Sequence, residues 1–417
     1  MHIAIGHYGA YRDVSGVTTW LTGLISEARS KGHSLDLMIH HFGENPDGGS
    51  FVKENGAHAA FLTAKSKPRW TEDAVHQTID FLNAGRPQVF LPQCLAGFHF
   101  AARFCEQHGL PWVFTVHSDD PVYWGLLEEC APKSSLGAVV VVSDYLNREV
   151  RRRGLPLDPI TIPYGVPVPG FYARFDRNPF RVVFSGRVVE LQKRISLVLQ
   201  AMATVCHANA SVECLILGDG SDLEASRRWV REQGLSERIR FTGSLKHADA
   251  IQRLSECQAF LLMSDYEGLP VALLEAMACG VVPVVRSIQS GISQLVKPGE
   301  TGFLTSDDPD EAANVILTLA QNSDLWTKLS MNARSFVSRE YEARACYEKW
   351  LSVLDTLART GSPQFPIPNR RIYLPSVNPK LIEVDTRRPK GRQWISFLHR
   401  GLRRRVRGAL FGPHRSS

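Results

Sequence analysis

Short apolar runs recur along the chain, and between them apolar residues return at every third or fourth position. Runs of the first kind read as buried strands and stretches of the second kind as amphipathic helices. The pattern predicts strands at residues 2–6, 34–39, 89–91, 112–116 and 138–142, with a helix at 18–29 after the first. A Pro/Gly-dense break follows at Ile162-Pro163-Tyr164-Gly165-Val166-Pro167-Val168-Pro169-Gly170. The alternation then restarts with strands at 181–185, 214–217, 239–242, 259–263 and 281–285 and helices at 196–208, 223–232 and 248–256. Helices are expected again at 309–322, 324–340 and 343–357. Strand–helix alternation in two blocks predicts an α/β protein of two doubly wound, Rossmann-like halves with a cleft between them. The expected domains are 1–168 and 177–341, then a helix at 342–358 and an extension at 359–417 whose start, Gly361-Ser362-Pro363, reads as linker.

A length of 417 residues suits two domains plus an extension. Hydrophobic content of 44% and charged content of 22% are ordinary for a globular chain. The first residues already read as a strand, with no basic segment leading into an apolar one, and no run reaches about 18 apolar residues. A cytoplasmic protein is therefore expected. The 8 cysteines are scattered without a C-x-x-C pair, which argues for free thiols over a zinc site.

Charge changes this picture in one place. The net charge is +6, yet residues 369–417 hold thirteen Lys/Arg against two Asp/Glu, a local +11 that leaves the preceding body at −5. Within this tail Trp394, Phe397, Leu398, Leu402, Val406 and Leu410 recur at helical spacing, with Arg400, Arg403, Arg404 and Arg407 between them. That is a basic amphipathic helix suited to an anionic membrane surface, on the inner face of the membrane for a cytoplasmic protein. A helix packed on the body and a free basic arm are the other readings. With basicity confined to the tail, nucleic acid is not expected as a partner.

Two carboxylates stand eight positions apart in Glu267-Gly268-Leu269-Pro270-Val271-Ala272-Leu273-Leu274-Glu275. The Gly-Leu-Pro turn puts the first in a loop and the second about two turns into an apolar helix. Between them lie the N–H groups of a helix N-terminus, a seat for phosphate. A ligand with phosphate in its middle and hydroxyls at both ends suits such a site, and a nucleotide sugar is one. The stretch resembles the E-x7-E motif of retaining glycosyltransferases of family 4, which have the GT-B fold, and the resemblance extends over about the first 355 residues. It implies that Glu267 bonds donor-sugar hydroxyls, that Glu275 holds the ribose, and that Gly268, Leu269 and Pro270 line the donor. It also implies that the helix at 342–358 crosses back onto the N-terminal domain.

Further residues join this pair. Gly186-Arg187 ends a predicted strand and Lys193 opens a helix, so two cations face the crevice at a strand's carboxyl end. Such cations stabilise charge growing on a departing diphosphate without a metal. The family's G-R-x(n)-K element falls on these residues, although the adjacent Arg194 leaves the second cation open. Gly218 and Gly220 end another strand in a turn where base or ribose can approach backbone, and Gly243 borders the base in the family. Ser15-Gly16 stands where the family has two glycines against the diphosphate. His117 ends an apolar strand, and the family's histidine at this point contacts the reacting end of the sugar. The hinge departs from the family, with Pro163-Tyr164-Gly165 in place of Pro-Asn-Gly, and Tyr164 reads as an apolar plug. Asp308-Pro309-Asp310, the one Asp-x-Asp triplet, reads as a helix cap, and no metal or other cofactor is expected.

The resemblance thus implies a retaining hexosyltransferase acting between a nucleoside diphosphate sugar and a saccharide or lipid-linked saccharide acceptor. Acceptor contacts are expected in loops at residues 41–55 and 91–97, which carry no readable code. Two rivals are a nucleotide-sugar 2-epimerase of the same fold, which needs further acid/base carboxylates in the cleft, and a non-catalytic nucleotide-sugar-binding protein.

Overall fold

The computed structural model describes residues 1–10, 16–42, 70–176 and 178–369, with 372, 374, 376–381 and 387. Ser15, most of the 41–55 loop and the amphipathic positions from Trp394 to Leu410 lie outside the described residues.

Two six-stranded parallel sheets form two lobes. The N-terminal sheet has the order β2-β1-β3-β4-β5-β6, built from β1 His2–Ala10, β2 Ser34–Phe42, β3 Val89–Pro92, β4 Trp112–Val116, β5 Gly137–Val141 and β6 Ile160–Thr161. Its helices are α1 Gly16–Ser30, α2 Thr71–Gly85, α3 Ala96–Cys105, α4 Pro121–Cys130 and α5 Asp144–Arg152. The C-terminal sheet has the order β12-β11-β10-β7-β8-β9, from β7 Phe180–Ser185, β8 Val212–Leu217, β9 Ile239–Gly243, β10 Ala259–Leu262, β11 Val282–Arg286 and β12 Phe303–Thr305. Around it lie α6 Glu190–Lys193, α7 Ile195–Ala208, α8 Leu223–Glu232, α9 His247–Leu254, α10 Val271–Ala278, α11 Ile292–Leu295, α12 Pro309–Gln321 and α13 Ser323–Glu340. This is the GT-B architecture.

Helices on both faces explain why the central strands read as continuous apolar runs: Val182, Val183 and Phe184 of β7 and Ala259 to Leu261 of β10 are wholly buried. Strand direction reverses its progress across each sheet at one place, between β1 and β3 in the first lobe and between β7 and β10 in the second. Ligand crevices open at such switch points, at the carboxyl ends of the strands. The two crevices face each other across the cleft.

The lobes are joined twice, at one place. Val166 N–H donates to Tyr341 O at 2.9 Å, and Ala343 N–H returns to Val166 O at 3.2 Å, so the outgoing and returning chains run side by side. The last helix, α14 Ala343–Thr360, then packs on α1, with the Trp350 and Trp20 rings 4.8 Å apart. Residues 361–369 do not leave the surface as the linker their composition suggests. Ile367 N–H donates to Asn83 Oδ1 at 2.6 Å, Asn83 Nδ2 returns to Ile367 O at 2.9 Å, and the Ile367 side chain is buried. Farther on, Leu381 is buried against Gly125 of α4, and Arg387 pairs with Glu129 at 2.5 Å over the Phe100 ring. A strap thus crosses the outer face of the N-terminal lobe.

Several expected bounds shift. β1 and β2 run longer than expected because they pair in register from His2↔Ser34 to Ala10↔Phe42. Residues 91–97 are not one loop, since Leu91 and Pro92 belong to β3 and Ala96 opens α3. The edge strands β6 and β12, with 2 and 3 residues, carry too few apolar positions to stand out. Asp308 caps α12 through its side chain, as expected. None of the 8 cysteines forms a disulfide, and all but Cys94 are buried.

Candidate functional site

A cavity of about 660 Å³ occupies the cleft where the two switch points meet, a volume within the usual range for small-molecule sites. Its C-terminal wall starts at the end of β7. Gly186 and Arg187 leave the strand, and the short helix α6 brings Gln192 and Lys193 back beside them. Gln192 was not singled out from sequence, yet it is buried and holds the site together. Its Oε1 accepts from Arg187 Nη2 at 2.5 Å, and its Nε2 donates to Tyr266 O at 3.2 Å. Lys193 Nζ meets Glu267 Oε1 at 2.5 Å, with both side chains largely buried.

Arg194 takes a different course. It adopts a left-handed conformation (φ 49°) between α6 and α7, and its guanidinium pairs with Asp265 at 3.1 Å and Glu190 at 3.5 Å. It is not among the cavity-lining residues, whereas Lys193 is.

The second wall comes from the loop after β10 and from α10. Pro270 is the N-cap of α10, and Leu273 and Leu274 N–H both donate to Pro270 O. The helix N–H groups that remain at the cavity edge are therefore those of Val271 and Ala272. Glu275 sits one turn into α10, buried, with Oε1 bonded to His247 Nε2 at 2.7 Å. His247 begins α9, and its side chain remains 42% exposed at the cavity margin. Gly268, Leu269 and Pro270 all line the cavity.

Between these walls the backbone is packed tightly. Gly218 ends β8 with φ +141°, and a Cβ there would fall 1.9 Å from Gly186 O. Only glycine lets the β8 turn lie against the β7 turn that carries Arg187. Gly243 does not reach the cavity wall; Ser244 and Leu245, the next two residues, do.

The N-terminal lobe supplies the opposite side. Gly16, at the start of α1, abuts Val271, where an added Cβ would lie 2.9 Å from Cγ2. Tyr8 projects from β1, Cys94 follows β3, and Asp120 and Tyr123 belong to the first turn of α4. The sequence reading named none of these four. His117 ends β4 and lines the cavity, but its ring is 4% exposed and both nitrogens are engaged. Nδ1 lies 2.5 Å from the Tyr164 hydroxyl and Nε2 2.5 Å from Gln93 Oε1. Tyr164 is buried, as a plug would be, and it also stacks on His117 with ring planes 7° apart.

Burial pushes the His117 pKa down to about 3, helped by His7 and His99 nearby, so the ring is neutral at physiological pH. Burial likewise lowers His7 to about 3 and His99 to about 4. Between those values and the ordinary 6.5 the unfolded chain binds protons that the folded chain does not, so acid favours unfolding. The expected outcome is a Tm that falls steadily from about pH 6.5 towards pH 4, with His99→Gln flattening the slope. Calorimetry across that range checks it, and a flat profile in the parent protein contradicts the burial.

Two cations and a helix N-terminus converge on one side of the cavity, which suits an anionic group such as a diphosphate. The carboxylates of Glu267 and Glu275 flank that place and accept from hydroxyls. Among the described residues no group of three or more His, Cys, Asp or Glu is gathered as a metal centre requires. No helix among them is long and apolar enough to cross a membrane.

Residues 173–336 match the family described as Glycosyl transferases group 1, and residues 14–168 match Glycosyltransferase Family 4. The chain is 31% identical over 189 residues to the amylovoran biosynthesis glycosyltransferase AmsK of Erwinia amylovora, covering 43% of this chain and 46% of that protein. It is 29% identical over 232 residues to the phosphatidyl-myo-inositol mannosyltransferase of Mycobacterium leprae, covering 54% and 60%. The chain spans about half the length of the curated relatives it matches. Among solved structures, Anabaena HepE in complex with UDP and glucose superposes with a TM-score of 0.68 at 17% identity, covering 84% of this chain and 99% of that one.

Proposed function

Because the chain belongs to the glycosyl transferases group 1 family, we propose that it moves a hexose from a nucleoside diphosphate sugar to an acceptor hydroxyl with retention of configuration. The observation that carries this reading is the ion pair of Lys193 with Glu267 beside Arg187, set against the first turn of α10 in the interlobe cavity. The acceptor is a saccharide on a glycolipid or polysaccharide precursor, a class supported by the names of the relatives in amylovoran and phosphatidylinositol mannoside chemistry.

In this reading Arg187, Lys193 and the Val271 and Ala272 N–H groups hold the diphosphate. Glu267 orients the sugar and Glu275 the ribose. The bond from the anomeric carbon to the β-phosphate oxygen breaks while the acceptor oxygen bonds to the same face of that carbon. The acceptor proton passes to the departing phosphate oxygen. The cations stabilise the charge that grows on that oxygen, in a site sheltered from water. His117 acts as a neutral ring at the reacting end, exchanging Gln93 or Tyr164 for a sugar hydroxyl. No step calls for a metal.

An epimerase needs free acid/base carboxylates. The other two on the cavity wall, Asp120 and Asp219, each have an oxygen engaged by a backbone N–H, from Val122 and Gly220, at 2.8 Å. Incubation with UDP-, GDP- and ADP-sugars and an alkyl glycoside acceptor, followed by proton NMR of the product anomer, tests the reading. A product of inverted configuration overturns retention, and donor epimerised without acceptor overturns transfer.

The basic tail brings the active cleft to an anionic membrane surface, in accord with its local +11. Co-sedimentation with phosphatidylglycerol-containing vesicles is expected at low salt and lost when Arg403, Arg404 and Arg407 are changed to Glu. Equal binding to neutral phosphatidylcholine vesicles contradicts it.

A further inference from the structure

The carboxylate of Glu275 does not stand alone. α9 and α10 lie side by side, with Cys279 Sγ donating to Ile251 O at 3.7 Å near the far end of the pair. At the near end His247, the first residue of α9, donates from Nε2 to Glu275 Oε1 at 2.7 Å. Both residues line the cavity, as do Gly218, Gly220, Ser244 and Leu245. A carboxylate with a free χ3 torsion presents its oxygens in any rotation, because that terminal torsion is broad. A hydrogen bond to one oxygen removes this freedom and leaves the other oxygen to accept from a ligand hydroxyl.

We propose that His247 is a positioning residue of the nucleotide site, fixing the Glu275 carboxylate so that it reads the hydroxyl pair of the ribose. The inference rests on the assignment of this cavity to a nucleoside diphosphate sugar. It adds a residue from a second helix that makes recognition of the ribose a joint property of α9 and α10. His247 acts through Glu275, so its loss weakens nucleotide binding without touching the reacting centre. A glutamine in its place restores an N–H donor at a similar reach.

The test compares two sugar forms of three nucleotides across three proteins. Dissociation constants for UDP, GDP and ADP, and for their 2′,3′-dideoxy counterparts, are measured by calorimetry on the full-length parent, His247→Ala and His247→Gln. The parent is expected to bind the ribose form of at least one nucleotide about tenfold more tightly than its dideoxy form. In His247→Ala that ratio is expected to collapse towards one while binding of the dideoxy form stays unchanged. In His247→Gln most of the ratio returns. An unchanged ratio in His247→Ala overturns the inference, as does a loss shared equally by both sugar forms, which marks a merely structural residue. If the parent binds none of the three nucleotides, the assignment of the cavity itself fails, a separate outcome.

Discussion

Replacing Arg187 and Lys193 together with alanine is expected to lower turnover by at least about 10³-fold, with a far smaller change in the KM for donor. Removing a single preorganised donor from a developing oxyanion commonly costs about 10²–10³ in kcat. Here two cations serve one leaving group, and no other lysine or arginine lines the described cavity wall. Arg194 does not substitute, because its guanidinium is held by Asp265 and Glu190. The single variants separate two effects. Arg187→Ala frees Gln192 Oε1 but leaves the Lys193–Glu267 pair in place, so its fall in kcat reports chemistry. Lys193→Ala also leaves the Glu267 carboxylate buried without its cation, so its Tm should be measured alongside. Turnover within tenfold of the parent in the double variant contradicts the proposed leaving-group role.

Gly268→Ala is expected to reduce kcat/KM by about 10²-fold or more while each lobe stays folded. The Cβ it adds would lie 2.0 Å from His117 O, 2.8 Å from His117 C and 3.0 Å from Ser118 Cα. Those atoms are backbone of the opposite lobe and cannot rotate away. Gly268 O is also tied to Gly291 N–H at 2.9 Å, so the loop cannot retreat freely into its own lobe. The cleft must open or the Glu267 loop must shift, and either separates the carboxylate and cations from the N-terminal wall. Steady-state kinetics with circular dichroism as a folding check measures this, and unchanged kinetics contradict the close approach of the lobes.

Much of the architecture was legible because the central strands are buried on both faces and therefore appear as unbroken apolar runs. The C-terminal wall was legible for a different reason. Glu267, Glu275, Arg187 and Lys193 lie in two short segments that end at neighbouring strands, β10 and β7, so local spacing already carries their geometry. The opposite wall was not. Tyr8, Cys94, Asp120 and Tyr123 come from two strand ends and a helix start, and only the strand order of the first sheet gathers them. Gln192 was hidden because a glutamine between two cation candidates looks like helix surface, and its burial depends on Tyr266 and Arg187. Tyr164 was read as a plug, and its ring is one, but the hydroxyl bond to His117 follows from the placement of the hinge under β4. The strap after α14 escaped notice because its anchors, Ile367, Leu374 and Leu381, stand among Pro366, Pro368, Pro375 and Pro379, a composition that reads as linker.

The central claim is that the interlobe cavity is built for a nucleoside diphosphate sugar. Thermal denaturation of the full-length protein with UDP-, GDP- and ADP-sugars tests it most directly, since a ligand that binds only the folded state stabilises it by about 2.7 kcal/mol at a hundredfold excess over Kd. A rise in Tm with one of the three bases, smaller when Arg187 and Lys193 are both changed to alanine, is the expected result. No shift with any of the three contradicts the account.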